Sequence, residues 1–143
     1  MATERRAEVT WTGDLMSGGG TIDSVGSGAF GPLDVSWAAR SEEPNGKTSP
    51  EELIAAAWAA CFAMALSAGL ARGGTPPERL ATSATVTFQP GEGIVKGALT
   101  VRGTVPGLDA EGFESAAQGA RANCPVSQAL TGIPEVTLDA ALD

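Results

Sequence analysis

Residues 48–74 read TSPEELIAAAWAACFAMALSAGLARGG, and this stretch decides the fold. Ser49 is a good N-cap, Pro50 suits the first helical position, and Glu52, three residues after Ser49, completes a capping box. Gly73-Gly74 and Pro76-Pro77 supply the stop signal. The spacing predicts a helix from about Pro50 to about Arg72, about 33 Å long at 1.5 Å per residue. Between Leu53 and Ala71 no side chain is charged and only Ser67 carries a hydroxyl. A helix that is apolar all round is expected to be buried all round. Its length approaches that of a membrane span. However, nine of the nineteen residues from 53 to 71 are alanine, which supplies little insertion energy, and the segment begins at a soluble-style capping box with two glutamates. The reading is therefore a buried core helix with no membrane partner. A chain of 143 residues struggles to cover every face of such a helix, so a homodimer is expected.

Working outward, residues 32–41 (PLDVSWAARS) place Leu33, Val35 and Trp37 on one side and read as a strand. Residues 7–16 hold a short strand candidate, and the glycine-rich 17–28 reads as a turn. In the polar loop 42–50, NGKTS looks like the tail of a phosphate-binding loop. The pattern needs Gly at 41, where this chain has Ser41, and nucleotide binding is rejected. After the long helix, 80–89 and 93–107 alternate around a turn at Gly91 and Gly93 and predict a hairpin. Residues 109–124 put Phe113, Ala116, Ala117 and Ala120 on one face of a helix capped by Asp109. Pro125 opens a second short helix, and 134–143 alternates as a strand. The expected architecture is α+β, with antiparallel sheets and a single domain over residues 1–143.

Composition narrows the chemistry. Nine basic against seventeen acidic residues give a formal charge of −8, which repels phosphate backbones and argues against nucleic acid. The charged N-terminus lacks the apolar core of a signal peptide. With two cysteines, that points to a cytoplasmic protein whose thiols are catalytic or redox-active more often than structural. There is no histidine and no tyrosine, so Ser-His and Cys-His pairs and the usual zinc sites are excluded. Cys124, just before Pro125, falls at a helix N-cap, where free N–H groups favour a thiolate; simple packing is the alternative. Cys61, by itself, reads as a core residue, and its activation would need a cation that its own helix does not place nearby. Glu51 lies ten residues upstream, about 15 Å along the axis and on a different face, so it cannot touch Cys61 from the same helix.

The segments TSPEELIAAAWAACFAMAL and ANCPVSQAL, together with VTWTGDL, VPGLDAEGF and EVTLDAAL, resemble the OsmC/Ohr family, in its OsmC-like branch, over nearly the whole chain. The resemblance implies an intertwined homodimer whose antiparallel sheets wrap two buried central helices, with active sites at the subunit interface. It implies a thiol-dependent peroxidase that reduces organic hydroperoxides, and hydrogen peroxide more weakly, in oxidative or osmotic stress defence. Carried over by position, Cys61 is the peroxidatic cysteine and Cys124 the resolving one. Glu51 is the glutamate after the helix-starting proline, and Arg40, at the end of the strand before the helix, is the active-site arginine. Ser49 stands where relatives often carry Asn; both cap helices well. Arg40 would keep Cys61 as a thiolate, and Glu51, supplied by the partner subunit, would hold the guanidinium through a bidentate pair. Cys124 would then condense with the sulfenic acid, and an external dithiol would reduce the disulfide. No metal, haem or flavin cofactor is expected. Trp58, Phe62 and Met64 are candidates either for an alkyl pocket or for plain core. Two rivals remain open at this level: an acidic dimer that binds an apolar ligand and carries a structural or sensing disulfide, and a thiol–disulfide oxidoreductase, which lacks a C-x-x-C motif here.

Overall fold

In the computed structural model, which describes residues 1–143, the chain divides into two units, Met1–Glu51 and Glu52–Asp143. The first unit is built on an antiparallel meander of β1 (Ala7–Thr12), β2 (Gly19–Val25) and β3 (Leu33–Val35). β2 occupies the stretch expected to be a turn. Its glycines mark a close approach: a Cβ on Gly20 would lie 2.7 Å from Cε3 of Trp11, its cross-strand partner. The strand expected over 32–41 stops at Val35. Ser36 intervenes as an N-cap, its Oγ accepting from the Ala39 N–H at 3.1 Å, and starts α1 (Trp37–Ser41). Arg40 therefore sits on a short helix and not at a strand end. The following loop reverses at Asn45-Gly46, with φ of 48° and 81°, and the Lys47 N–H donates to the Pro44 carbonyl at 3.0 Å. Asn-Gly is the pair best suited to two consecutive positive φ angles.

α2 spans Pro50–Arg72, as predicted, so the unit boundary falls in its first turn. In the second unit, β4 (Arg79–Gln89) and β5 (Gly93–Thr104) form the expected antiparallel hairpin. α3 (Ala110–Asn123), capped by Asp109 accepting from the Gly112 N–H at 2.8 Å, leads into α4 (Pro125–Ala129). β6 (Glu135–Leu142) then pairs with β5 in parallel, giving the order β4-β5-β6. The sheets are otherwise antiparallel; the α3–α4 crossover is what returns the chain in the same direction.

The core of this unit follows helical and strand periods together. Trp58, Phe62, Leu66 and Leu70 recur every four residues on α2 and are buried against Leu99 and Val101 of β5 and Phe113 and Ala117 of α3. The sheet approaches most closely at Gly97, where an added Cβ would lie 2.5 Å from the Trp58 ring. The opposite stripe of α2, at Ala56, Ala60, Met64 and Ala68, is exposed, with Met64 at 72%. Burial on all sides is thus not met by one chain, because the sheet and α3 cover one flank of the helix and leave the other bare. Length and composition would let α2 cross a membrane. Its stripe of large side chains packed into the sheet is what a core helix presents.

Candidate thiol site

α2 and the α3–α4 junction deliver one cysteine each. Cys61 lies on α2, half-buried, whereas Cys124 is fully buried; both are free thiols. Cys124 ends α3 and caps α4, its N–H donating to the Ala120 carbonyl at 2.8 Å. The two side chains meet: the Cys61 and Cys124 sulfurs share a hydrogen bond. Burial pushes the Cys61 thiol above its ordinary range, and its hydrogen bond with Cys124 pushes it further. Burial also opposes a Cys124 thiolate. That effect is outweighed by the hydrogen bond with Cys61 and by the N–H and hydroxyl of Ser127 and the N–H of Val126, which together hold the Cys124 thiol below its ordinary range.

A second link between the same two helices lies one turn away. The Trp58 indole Nε1 donates to Ser127 Oγ at 2.7 Å. Both residues border a cavity of about 540 Å³ whose wall also includes Gln118, Arg121, Ile133 and Val136. Sequence reading singled out Trp58 but not Ser127. The available signal was spacing: Trp58 precedes Cys61 by three positions and Ser127 follows Cys124 by three. Phe62, considered for an alkyl pocket, is wholly in the core, while Met64 faces outward from α2.

Arg40 and Glu51 meet in the first unit. Arg40 Nε donates to both Glu51 oxygens, at 3.0 and 3.1 Å, and its Nη2 donates to Oε1 at 2.7 Å. Glu51 is buried and the Arg40 side chain is about one-third exposed. The expected bidentate pair forms, but within one chain. The loop that reverses at Asn45-Gly46 returns the backbone from α1 to the start of α2, so no partner is needed to supply the carboxylate to Arg40. The four residues thus fall into two pairs, Arg40 with Glu51 and Cys61 with Cys124.

Comparison with known proteins places these pairs in context. The family model described as OsmC-like protein matches residues 43–139. The chain is 42% identical over 142 residues to Peroxiredoxin OsmC of Escherichia coli (strain K12), covering 97% of this chain and 96% of that protein, and matches Peroxiredoxin OsmC of Shigella flexneri equally. Among solved structures, the organic hydroperoxide resistance protein OsmC of Legionella pneumophila superposes with a TM-score of 0.72 at 24% identity, covering 95% of this chain and 96% of that one. The organic hydroperoxide resistance protein OhrB of Bacillus subtilis gives 0.63 at 25% identity, covering 96% and 98%.

Proposed function

The chain belongs to the OsmC-like family and is a cysteine-based peroxidase, and from that premise we propose that it reduces organic hydroperoxides, and hydrogen peroxide more weakly, by a two-cysteine mechanism. The observation that carries the reading is the facing pair of free thiols, one partly accessible and one buried. Cys61, the accessible one, attacks a peroxide oxygen as thiolate. An S–O bond forms, the O–O bond breaks, and the departing alkoxide takes a proton to leave as alcohol. Cys124 then attacks the sulfenic sulfur, expelling hydroxide that becomes water and leaving a disulfide. A small dithiol reduces that disulfide by exchange and is itself oxidised.

Within this reading Arg40 is the cation that Cys61 requires, because burial and its neighbour otherwise hold the Cys61 thiol above its ordinary range. Glu51 fixes the guanidinium in a fork geometry, and the positive charge so oriented is what favours a thiolate and a bound peroxide oxygen. Glu51 is ten residues before Cys61 on α2, so the Arg40–Glu51 pair of one subunit serves Cys61 of the other. A homodimer buried along the bare stripe of α2 around Met64 meets that need, and the whole of residues 1–143 acts as one OsmC-like domain in the cytoplasm.

The test is consumption of a cumene-type hydroperoxide in the presence of a dithiol. Cys61→Ser is expected to abolish turnover. Cys124→Ser is expected to oxidise once and then either stall or proceed to sulfinic acid. Mass analysis of the wild-type protein after one equivalent of peroxide should show loss of the two thiol hydrogens with both sulfurs blocked. Equal, mild effects of the two substitutions would instead indicate a structural disulfide in a non-enzymatic dimer, and a wild-type protein that consumes no hydroperoxide would end the proposal.

A further inference from the structure

We propose that Trp58 and Ser127 form a clamp that positions Cys124 for attack on oxidised Cys61; the inference rests on the two-cysteine reading above and adds to it the residues that set the fate of the sulfenic acid. Two rungs join α2 to α4. One is the sulfur pair, and the other, a turn away, is the hydrogen bond from Trp58 Nε1 to Ser127 Oγ at 2.7 Å. α4 has only five residues, none fully buried, and Val126 is its one side chain packed against the core, so a bond to Ser127 is a second anchor for a short element. Trp58 is the opposite case. It is 1% exposed, and its ring lies against the backbone at Gly97, where no larger residue fits. The clamp therefore ties a short, lightly packed element to a deeply buried side chain.

The polarity of the clamp is fixed as well. An indole N–H only donates, so Ser127 accepts from it and its own proton points elsewhere. The Cys124 sulfur is a polar acceptor facing that hydroxyl, and the hydroxyl is among the groups that favour the Cys124 thiolate. Ser127 thus touches the reacting sulfur, and Trp58 acts through it as a positioning residue.

The step at stake is a competition. After the first peroxide, the Cys124 thiolate gives its electron pair to the sulfenic sulfur; the S–S bond forms, the S–O bond breaks, and hydroxide leaves to become water. If Cys124 is displaced, a second hydroperoxide oxidises the sulfenic acid to sulfinic acid, which a dithiol does not reverse. Loss of the clamp shifts this competition without touching the first oxidation.

The experiment is a peroxide titration of the full-length reduced protein with cumene hydroperoxide, reading the ratio of disulfide to Cys61 sulfinic acid by intact mass. Ser127→Ala and Trp58→Phe are each expected to bring on sulfinic acid at about five- to ten-fold lower peroxide, the factor a single hydrogen bond supports. The rate of the first oxidation of Cys61 should stay as in wild type. Ser127→Thr, which keeps a hydroxyl, should restore most of the ratio, and the double variant should be no worse than either single one, since both remove the same bond. Ser127 is partly exposed, so Ser127→Ala carries the test should Trp58→Phe fold poorly. A lower melting temperature with an unchanged disulfide-to-sulfinic ratio overturns the clamp, as do additive effects in the double variant. A wild-type protein that never forms the disulfide overturns the two-cysteine reading itself, an outcome distinct from variants that match a competent wild type.

Discussion

Gly97→Ala is the most direct probe of how α2 sits on its sheet. A Cβ at this position would lie 2.5 Å from Cζ3 and 2.6 Å from Cη2 of Trp58, and 3.7 Å from Cδ1 of Ile133. Ordinary carbon contacts begin near 3.5 Å, so the ring would have to retreat by about 1 Å. It has little room, because it is fully buried and its Nε1 is held at 2.7 Å by Ser127 on the far side. Overpacking of this kind costs about 1–3 kcal/mol. Taking about 2 kcal/mol, the melting temperature of a chain this size should fall by roughly 6–8 °C. The assay is thermal unfolding followed by circular dichroism, with protein concentration held fixed because a dimer stabilises by mass action. A second substitution sharpens the argument. Cζ3 and Cη2 belong to the outer ring of the indole, which Phe lacks. Trp58→Phe should therefore cost about 1–2 kcal/mol less in the Gly97→Ala background than alone. Strictly additive costs, or a Gly97→Ala protein as stable as wild type, would refute the idea that the ring is wedged against this backbone.

Two other outcomes test other parts of the structure. Because the hydrogen bond between the two sulfurs lowers the Cys124 pKa and raises that of Cys61, Cys61→Ala removes a group that favours the Cys124 thiolate. Thiolate absorbance from the remaining cysteine should then appear at higher pH, whereas Cys124→Ala should bring Cys61 titration to lower pH than in the wild-type protein; shifts of the opposite sign would contradict the coupling of the two sulfurs. Met64→Asp places a charge at the centre of the bare α2 stripe, and sedimentation should show dissociation to monomers, with an unchanged dimer ruling this face out as the contact.

Much of the second unit was legible in the sequence because its signals are local. The ends of α2 follow from Pro50 and the glycines after Arg72, and the β4–β5 hairpin follows from alternation around Gly91 and Gly93. The signals of the first unit are less local. Alternation of Leu33, Val35 and Trp37 continues across a strand–helix junction, so only the capping role of Ser36 separates the two elements. The glycines of β2 suggest a turn by composition, whereas the role of Gly20, making room for Trp11 across the sheet, depends on a strand pairing that composition does not reveal. At the site, the individual chemistry of each thiol was readable, but their meeting was not, since it depends on the crossover between β5 and β6. The family resemblance supplied that pairing in advance. It did not supply the Trp58–Ser127 bond, a long-range contact between a core aromatic and a serine in a five-residue helix.

The parallel pairing of β6 with β5 has a consequence for synthesis. Cys61 leaves the ribosome early, in a helix able to form by itself, but Cys124 sits in the crossover and is locked in place only when β6, made after it, zips along β5. While translation is in progress the sulfur on α2 has neither Cys124 beside it nor, on the reading above, the partner subunit's Arg40 to activate it. Reactivity and rescue therefore arrive together, once the chain is complete and assembled.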